Sequence, residues 1–159
     1  MIVVADTGPL NYLLAVRQIE ILPRLFGVII IPQTVAGELR APGAPETNLR
    51  WLATLPPEFE LRTASAPLPH LGLARGETEA IALAEELRAA AILMDERKGR
   101  RAAVARGHVV VGTLGVLERA GANGWLDLEA VFEQLRMTTF FAPDELMDAA
   151  LERWKKLKP

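Results

Sequence analysis

Two short apolar runs in the sequence end in an aspartate. The run IVVA leads into Asp6, and the run AILM leads into Asp95. In an open parallel sheet the carboxyl ends of the strands border the ligand crevice, so neighbouring strands would bring these two carboxylates together. Either aspartate taken alone could instead cap a helix or form a turn. Because the pattern occurs at two strand ends, it indicates a functional site.

Two glutamates stand where they could join this pair. Glu38 lies in the short helical stretch TVAGELR, just after the run VIIIP, and therefore near the same sheet edge. Glu77 lies in the first turn of a helix that opens at Gly76. Acidic residues also favour helix N-termini on dipole grounds alone, and that reading covers Glu79 as well as Glu77.

Four carboxylates at one place would repel one another unless a cation lay among them. An all-oxygen site suits Mg²⁺ or Mn²⁺, which can orient a phosphodiester and lower the pKa of a bound water. The chain has no cysteine and only two histidines, so thiolate and imidazole metal sites are poorly supplied. The acid set therefore predicts hydrolysis of a phosphate ester.

The pattern of apolar runs predicts an α/β fold. The runs cover positions 2 to 5, 28 to 31, 91 to 94 and 109 to 111, and they lack alternation, as expected for strands covered on both faces. Stretches with helical spacing lie between them. We expect the 159 residues to form one domain, with a C-terminal helix over 143–159 and an irregular, proline-rich segment from Ala41 to Pro69.

Composition limits the kinds of partner. The net charge of −2 argues against a protein that coats nucleic acid by bulk charge, so any polyanion must meet a local basic patch. No targeting or membrane segment is visible, which predicts a cytoplasmic protein with no membrane contact. The tryptophans, with Phe140 and Phe141, are expected in the core or at a dimer contact in preference to stacking on bases.

Five stretches of the sequence together resemble one known family. They are, in chain order, MIVVADTGPLNYLL, VIIIPQTVAGEL, GETEAIALA, AAAILMDERKGRRAA and VVVGTLGVL. The set resembles the PIN-domain nucleases, and among them the prokaryotic PIN-like proteins related to VapC-type toxins. The likeness covers roughly positions 1 to 125.

The resemblance implies roles for particular residues. The family's four metal-binding catalytic acids match Asp6, Glu38, Glu77 and Asp95. Glu77 has the family's separation of about eighteen residues from the fourth acid, whereas Glu79 is two residues too close. Many relatives carry aspartate where this chain has Glu77, which changes the metal geometry. The weaker accessory positions are Thr7, Glu96 and Thr113.

A basic patch follows the fourth acid in the sequence. Arg97, Lys98, Arg100 and Arg101 are close enough to the predicted site to contact RNA phosphates, although a solvated helix face is the plain alternative.

The resemblance also implies a larger picture of fold and function. It implies a three-layer α/β/α fold with a central parallel sheet, and a Mg²⁺- or Mn²⁺-dependent endoribonuclease that forms a homodimer. It further implies RNA as substrate and a role as the toxin of a toxin–antitoxin pair, with a cognate antitoxin as partner. Two alternatives remain open: a PIN-like module that binds RNA or protein but catalyses weakly, and a phosphatase acting on small molecules.

Overall fold

The fold is built on a central parallel sheet. The computed structural model describes residues 1–66 and 68–158. The strands are β1 (Ile2–Ala5), β2 (Val28–Pro32), β3 (Phe59–Arg62), β4 (Ala91–Leu93) and β5 (Val110–Val111). The helices in the described residues are α1 (Thr7–Ala15), α2 (Ile21–Phe26), α3 (Gln33–Leu39), α4 (Glu46–Ala53), α5 (Arg75–Leu87), α6 (Arg97–Ala105), α7 (Thr113–Ala122), α8 (Leu128–Arg136) and α9 (Asp144–Leu157).

The strand order creates a switch point beside β1. The order is β3-β2-β1-β4-β5, and every neighbouring pair is parallel. The chain runs outward from β1 through β2 to β3, and then returns to add β4 and β5 on the other side of β1. A crevice opens at the carboxyl ends of the strands where the direction reverses, which is between β1 and β4.

Side chains of the sheet alternate between two hydrophobic cores. In β1, Val3 and Ala5 belong to one core and Val4 to the other. The core around Val4 also holds Ile81 of α5 and Ala103 of α6. The opposite core is larger and takes in residues of α1, α2, α3, α7, α8 and α9. The predicted α/β fold of three layers is thereby confirmed.

The predicted strands all exist, with small differences at their ends. The strand β1 has the predicted bounds, β2 extends to Pro32, and β4 stops at Leu93, one residue earlier than expected. The strand β5 has only two residues, Val110–Val111. Helix α9 spans Asp144–Leu157, so it begins one residue later than the expected C-terminal helix over 143–159 and ends before Lys158, while Pro159 lies outside the described residues. No helix among the described residues is both long and apolar enough to cross a bilayer.

The segment Ala41 to Pro69 is more regular than predicted. It contains helix α4 and strand β3, and β3 pairs in parallel with β2 at the sheet edge. Only Phe59 of β3 is buried, so this strand lacks the continuous apolar run by which the buried strands were found. An edge strand needs no such run, because one side of it is open to solvent. Pro67 lies outside the described residues.

Helix α9 is held to the body of the protein by Trp154. Its side chain is 5% exposed, and its indole Nε1 donates to the carbonyl oxygen of Gly121 in α7 at 3.2 Å. A Cβ at Gly121 would lie 3.2 Å from the indole Cδ1, so the absence of a side chain there lets the two helices approach closely.

Replacing Trp154 should therefore loosen the C-terminal helix. We expect Trp154→Ala to lower the free energy of unfolding by about 3–5 kcal/mol, because it removes a buried aromatic side chain. Trp154→Phe should cost less, since most of the apolar contact remains. Urea unfolding followed by circular dichroism measures both. Met137→Ala is the control, because Met137 is 88% exposed, and an equal loss in that variant would contradict the assignment.

Candidate active site

Asp6 lies at the base of the crevice, directly after β1. Its residue is 6% exposed, and its backbone N–H donates to the carbonyl of Leu93 at 2.9 Å. Burial raises the pKa of Asp6 to about 7, and the negative charges of Glu77, Glu38 and Asp95 add to the rise. A hydrogen bond with the backbone of Thr7 opposes it. The other three predicted acids therefore all lie within electrostatic reach of Asp6.

Glu38 is held beside Asp6 from α3. The hydroxyl of Thr7 donates to Glu38 Oε2, which links the start of α1 to the carboxylate of α3. On the other side, α5 approaches so closely that a Cβ at Gly76 would lie 2.6 Å from Glu38 Oε1. A side chain at that position would force the Glu38 carboxylate to move. Thr7, predicted as an accessory residue, is therefore in direct contact with one of the acids.

Glu77 projects from the first turn of α5, and only one of its two carboxylate oxygens has a hydrogen-bond partner. Its Oε1 accepts from the backbone N–H of Ala74 at 3.2 Å, whereas its Oε2 is buried without a hydrogen-bond partner. Burial raises the pKa of Glu77, and the charges of Glu96 and Glu38 raise it further. A Cβ at Gly99 of α6 would lie 2.5 Å from Oε2, so a side chain there would force this carboxylate to move.

Asp95 follows β4 and is oriented by Thr113. The backbone N–H of Thr113 donates to Oδ1 at 2.7 Å, and its hydroxyl donates to Oδ2 at 2.6 Å. Burial raises the pKa of Asp95 despite these bonds, and the Arg100 guanidinium works against the rise. Thr113, predicted as an accessory residue, is fully buried at the start of α7 and makes both contacts from there.

One cleft collects these side chains, and it is called the acid cleft below. Its carboxylates come from Asp6, Glu38, Glu77, Asp95 and Glu96. Lys98 and Arg97 of α6 lie on its rim, and Lys98 lowers the pKa of Glu77 slightly against the dominant effect of burial. The far wall is formed by residues that the sequence did not point to, among them Tyr12 and Thr139.

Glu79 does not belong to the acid cleft. Its Oε1 accepts from both the backbone N–H and the hydroxyl of Thr34, each at 3.0 Å. This contact ties the first turn of α3 to α5. Glu77 and Glu79, two residues apart on one helix, therefore have different surroundings: Glu77 lines the acid cleft, whereas Glu79 binds Thr34.

The predicted phosphate contacts divide into two groups. Arg97, Lys98 and Arg101 are exposed on α6. Arg100 is partly buried, and its Nη1 donates to the carbonyl of Met94 at 2.9 Å. A Cβ at Gly112 would lie 2.7 Å from that same nitrogen, so Arg100 is packed between β4 and the start of α7. Arg100 therefore supports the site from within the fold, whereas the other three basic side chains are open to solvent.

The aromatic side chains that are expected in the core or at a dimer contact differ in burial. Trp154 is buried, while Trp51, Trp125 and Phe140 are partly buried against the larger core. Phe141 is different, because it is 86% exposed on the wall of the acid cleft. Phe141 is therefore not in the core, so that only the expected dimer contact stays a prediction for it, and no signal in its sequence neighbourhood distinguished it from Phe140.

The donor set of the acid cleft suits a hard cation. All of its candidate ligands are carboxylate oxygens, and the unpartnered Oε2 of Glu77 is a buried acceptor that a cation would satisfy. A complete shell is not preformed: within residues 1–66 and 68–158, no three Asp, Glu or His side chains are already placed to hold a metal. Like charges repel, so the acids can close around an ion only when one is bound.

Comparison with known proteins places the chain in a family. A family model described as a PIN domain matches residues 2–156. The chain belongs to the PIN domain family. PIN domains are generally nucleases, which supports a hydrolase in broad terms. No curated protein matches the chain.

A solved structure agrees with the PIN domain fold. It is a PilT N-terminus domain protein from the hyperthermophilic archaeon Sulfolobus solfataricus P2, similar with a TM-score of 0.55 at 19% sequence identity. The match covers 76% of this chain and 93% of the archaeal one. At that identity the likeness concerns the fold.

The buried acids should make the stability of this PIN domain depend on pH. The pKa of Asp6 is about 7 in the fold against an ordinary value of 3.8, so the folded state disfavours its ionised form. Stability is therefore lost as pH rises from about 4 to about 7, and the loss is complete above that range. The raised pKa values of Glu77 and Asp95 act in the same direction. In EDTA at about pH 8, Asp6→Asn should be more stable than wild type by a few kcal/mol.

Urea unfolding at several pH values measures this difference, which should close near pH 4. Glu85→Gln provides a control of opposite sign, because hydrogen bonds from Arg106 lower the pKa of Glu85. That variant should be less stable than wild type at about pH 8. An Asp6→Asn variant that is less stable than wild type at about pH 8 would contradict the electrostatic account.

Proposed function

We propose that this PIN domain is a Mg²⁺- or Mn²⁺-dependent endoribonuclease. The observation that carries the proposal is the convergence of four acids from four separate elements on one cleft at the switch point of the sheet. They are Asp6, Glu38, Glu77 and Asp95, which come from the end of β1, α3, the start of α5 and the end of β4. A set so dispersed along the chain is hard to explain by helix capping or surface solvation.

The same four acids would hold the metal. A bound divalent ion supplies a positive charge for the phosphate and a water nucleophile at neutral pH. The chain's own part is to orient the ligands: Thr7 holds Glu38, and Thr113 holds Asp95. Burial of Asp6 excludes water from the base of the cleft, which strengthens every charge interaction there.

Helix α6 would place the substrate. Its exposed Arg97, Lys98 and Arg101 lie beside the acids and can bind the phosphates that flank the cleaved bond. RNA as the substrate, and the role of toxin paired with an antitoxin, are proposed from the resemblance to VapC-type toxins. The homodimer and the cytoplasmic location likewise stay predictions.

A catalytically weak binding module is the second candidate. It is favoured by the finding that, in the described residues, no three candidate ligands already stand at metal-binding positions. Glutamate at the third acid position points the same way, since its longer side chain is less fixed than that of aspartate. The two candidates differ in whether metal binding and cleavage occur together.

Two glutamates on one helix provide a matched test of cleavage. Glu77→Gln removes a charge from the acid cleft and should reduce RNA cleavage in Mn²⁺ by about a hundredfold or more. Glu79→Gln removes a charge two residues away but keeps an oxygen that can accept from Thr34, so cleavage should stay within about threefold of wild type. The assay follows a labelled RNA on a denaturing gel.

The outcome of this comparison separates the candidates. Cleavage by Glu77→Gln at the wild-type rate would remove the nuclease proposal, and so would cleavage in excess EDTA. Equal losses of cleavage in both variants would indicate that the substitutions damage helix α5, and not that Glu77 has a specific part in cleavage. Melting curves of both proteins check that they fold.

Metal binding should stabilise the folded protein. Mn²⁺ relieves the repulsion among the acids, so at about a hundredfold excess over its Kd it should raise the melting temperature by roughly 5 to 10 °C. Glu77→Gln should show a smaller rise, whereas Glu85→Gln, which lies outside the cleft, should match wild type. An unchanged melting temperature in wild type at saturating Mn²⁺ would contradict a metal site.

A further inference from the structure

An aromatic ridge, made of Phe140 and Phe141, stands between the acid cleft and a second groove. The two residues lie in the connection between α8 and α9 and line both cavities. Asp95 and Arg97 also line both. The ridge is therefore next to one of the proposed catalytic acids on one side and next to the basic face of α6 on the other.

Phe140 anchors the ridge. Its ring packs edge-on against Tyr12, with ring centroids 5.1 Å apart and an interplanar angle of 79°. Its backbone N–H donates to the Thr138 hydroxyl at 3.1 Å, which further restricts the position of Phe140. The Tyr12 hydroxyl lies 3.2 Å from the Thr139 hydroxyl and fixes the preceding residue. These three contacts of Thr139 and Phe140 fix the backbone that leads into Phe141.

The Phe141 side chain is exposed to solvent. It is 86% exposed although it is a large apolar ring, and no aromatic partner stacks on it in the described part of the chain. Exposure of such a ring costs hydrophobic free energy that binding would recover. An aromatic face on a firmly held backbone is suited to stacking against another flat ring.

Positive charge borders the ridge on its second side. The second groove, called the arginine groove here, contains Arg97, Arg101, Arg119 and Arg153. Arg153 is paired with Glu118, but within residues 1–66 and 68–158 neither Arg97 nor Arg101 forms an ion pair. A ligand that combines flat rings with negative charges would match this surface.

We propose that Phe141 forms a subsite for an unpaired nucleobase. The base belongs to a nucleotide next to the cleaved bond, stacks on the Phe141 ring, and directs its phosphate toward Arg97. This inference rests on the proposed function and makes it narrower: the substrate must be single-stranded at that position, since a paired base cannot leave its stack to reach the ring.

A partner protein is the rival occupant, and the contacts favour the base. Val104 and Leu146 are exposed apolar residues of the arginine groove, but they do not line the acid cleft. Phe141 lines both cavities and lies beside Asp95 and Arg97. A ligand bound at Phe141 therefore lies against both the arginine groove and the acid cleft. A nucleic acid strand suits both, because its phosphates can bind the arginines while one of them reaches the proposed metal site.

Binding without cleavage tests the subsite. The probe is a fluorescein-labelled single-stranded oligoadenylate of about twelve nucleotides, followed by fluorescence anisotropy in EDTA. Phe141→Ala and Phe141→Leu should each weaken binding about tenfold, and Phe141→Trp should remain within about twofold of wild type. Met137→Ala removes an equally exposed apolar side chain that lines neither cavity, and it should bind as wild type does.

A second probe isolates the base from the phosphates. An oligomer of the same length with abasic sugars keeps every phosphate, so wild type and Phe141→Ala should bind it equally. The inference is overturned if Phe141→Leu binds oligoadenylate like wild type, if wild type does not bind it, or if the loss persists on the abasic oligomer. A loss accompanied by a change in oligomeric state on size exclusion assigns Phe141 to a protein interface and also overturns it.

The results separate this inference from the proposed function. If wild type cleaves RNA while the Phe141 variants bind oligoadenylate normally, the subsite is wrong and the nuclease stands. If binding depends on Phe141 but neither Mg²⁺ nor Mn²⁺ supports cleavage, the nuclease is wrong, and Phe141 stacks on a base of a bound strand without a cleaved bond beside it.

Discussion

The burial of like charges at one sheet edge is the constraint on which this structure depends. Asp6, Glu77 and Asp95 all have raised pKa values, and burial is the largest cause for each. A fold gains nothing for its own stability from such an arrangement, because carboxylates are solvated better in water. Protein sites of this kind are typical of function, where a strained electrostatic state is useful.

Neighbouring backbone has to make room for these acids. The helices α5 and α6 come so near to Glu38 and Glu77 that a side chain at Gly76 or Gly99 would collide with a carboxylate oxygen. Small residues therefore do two things here: they let the helices pack on the sheet, and they leave the space into which the acids project. The layered packing and the shape of the cleft are consequences of the same close approach.

Sequence reasoning succeeded where the signal was local and failed where contact was distant. Buried strands without alternation identified the sheet, and the aspartates at two strand ends predicted that their side chains share one cleft, as Asp6 and Asp95 do. The edge strand β3 was missed because solvent on one side removes its apolar run. Phe140 and Phe141 look alike in the sequence, and only the structure shows that Phe140 packs on Tyr12 whereas Phe141 is exposed.

The double contact between Thr113 and Asp95 has a consequence for coordination. Each carboxylate oxygen has two lone pairs, and one on each oxygen of Asp95 is already engaged by Thr113. The plane of the carboxylate is therefore set by the first turn of α7 and not by whatever enters the cleft. An incoming ion must accept that orientation and use the lone pairs that remain, whereas the more loosely held glutamates can turn to complete its shell.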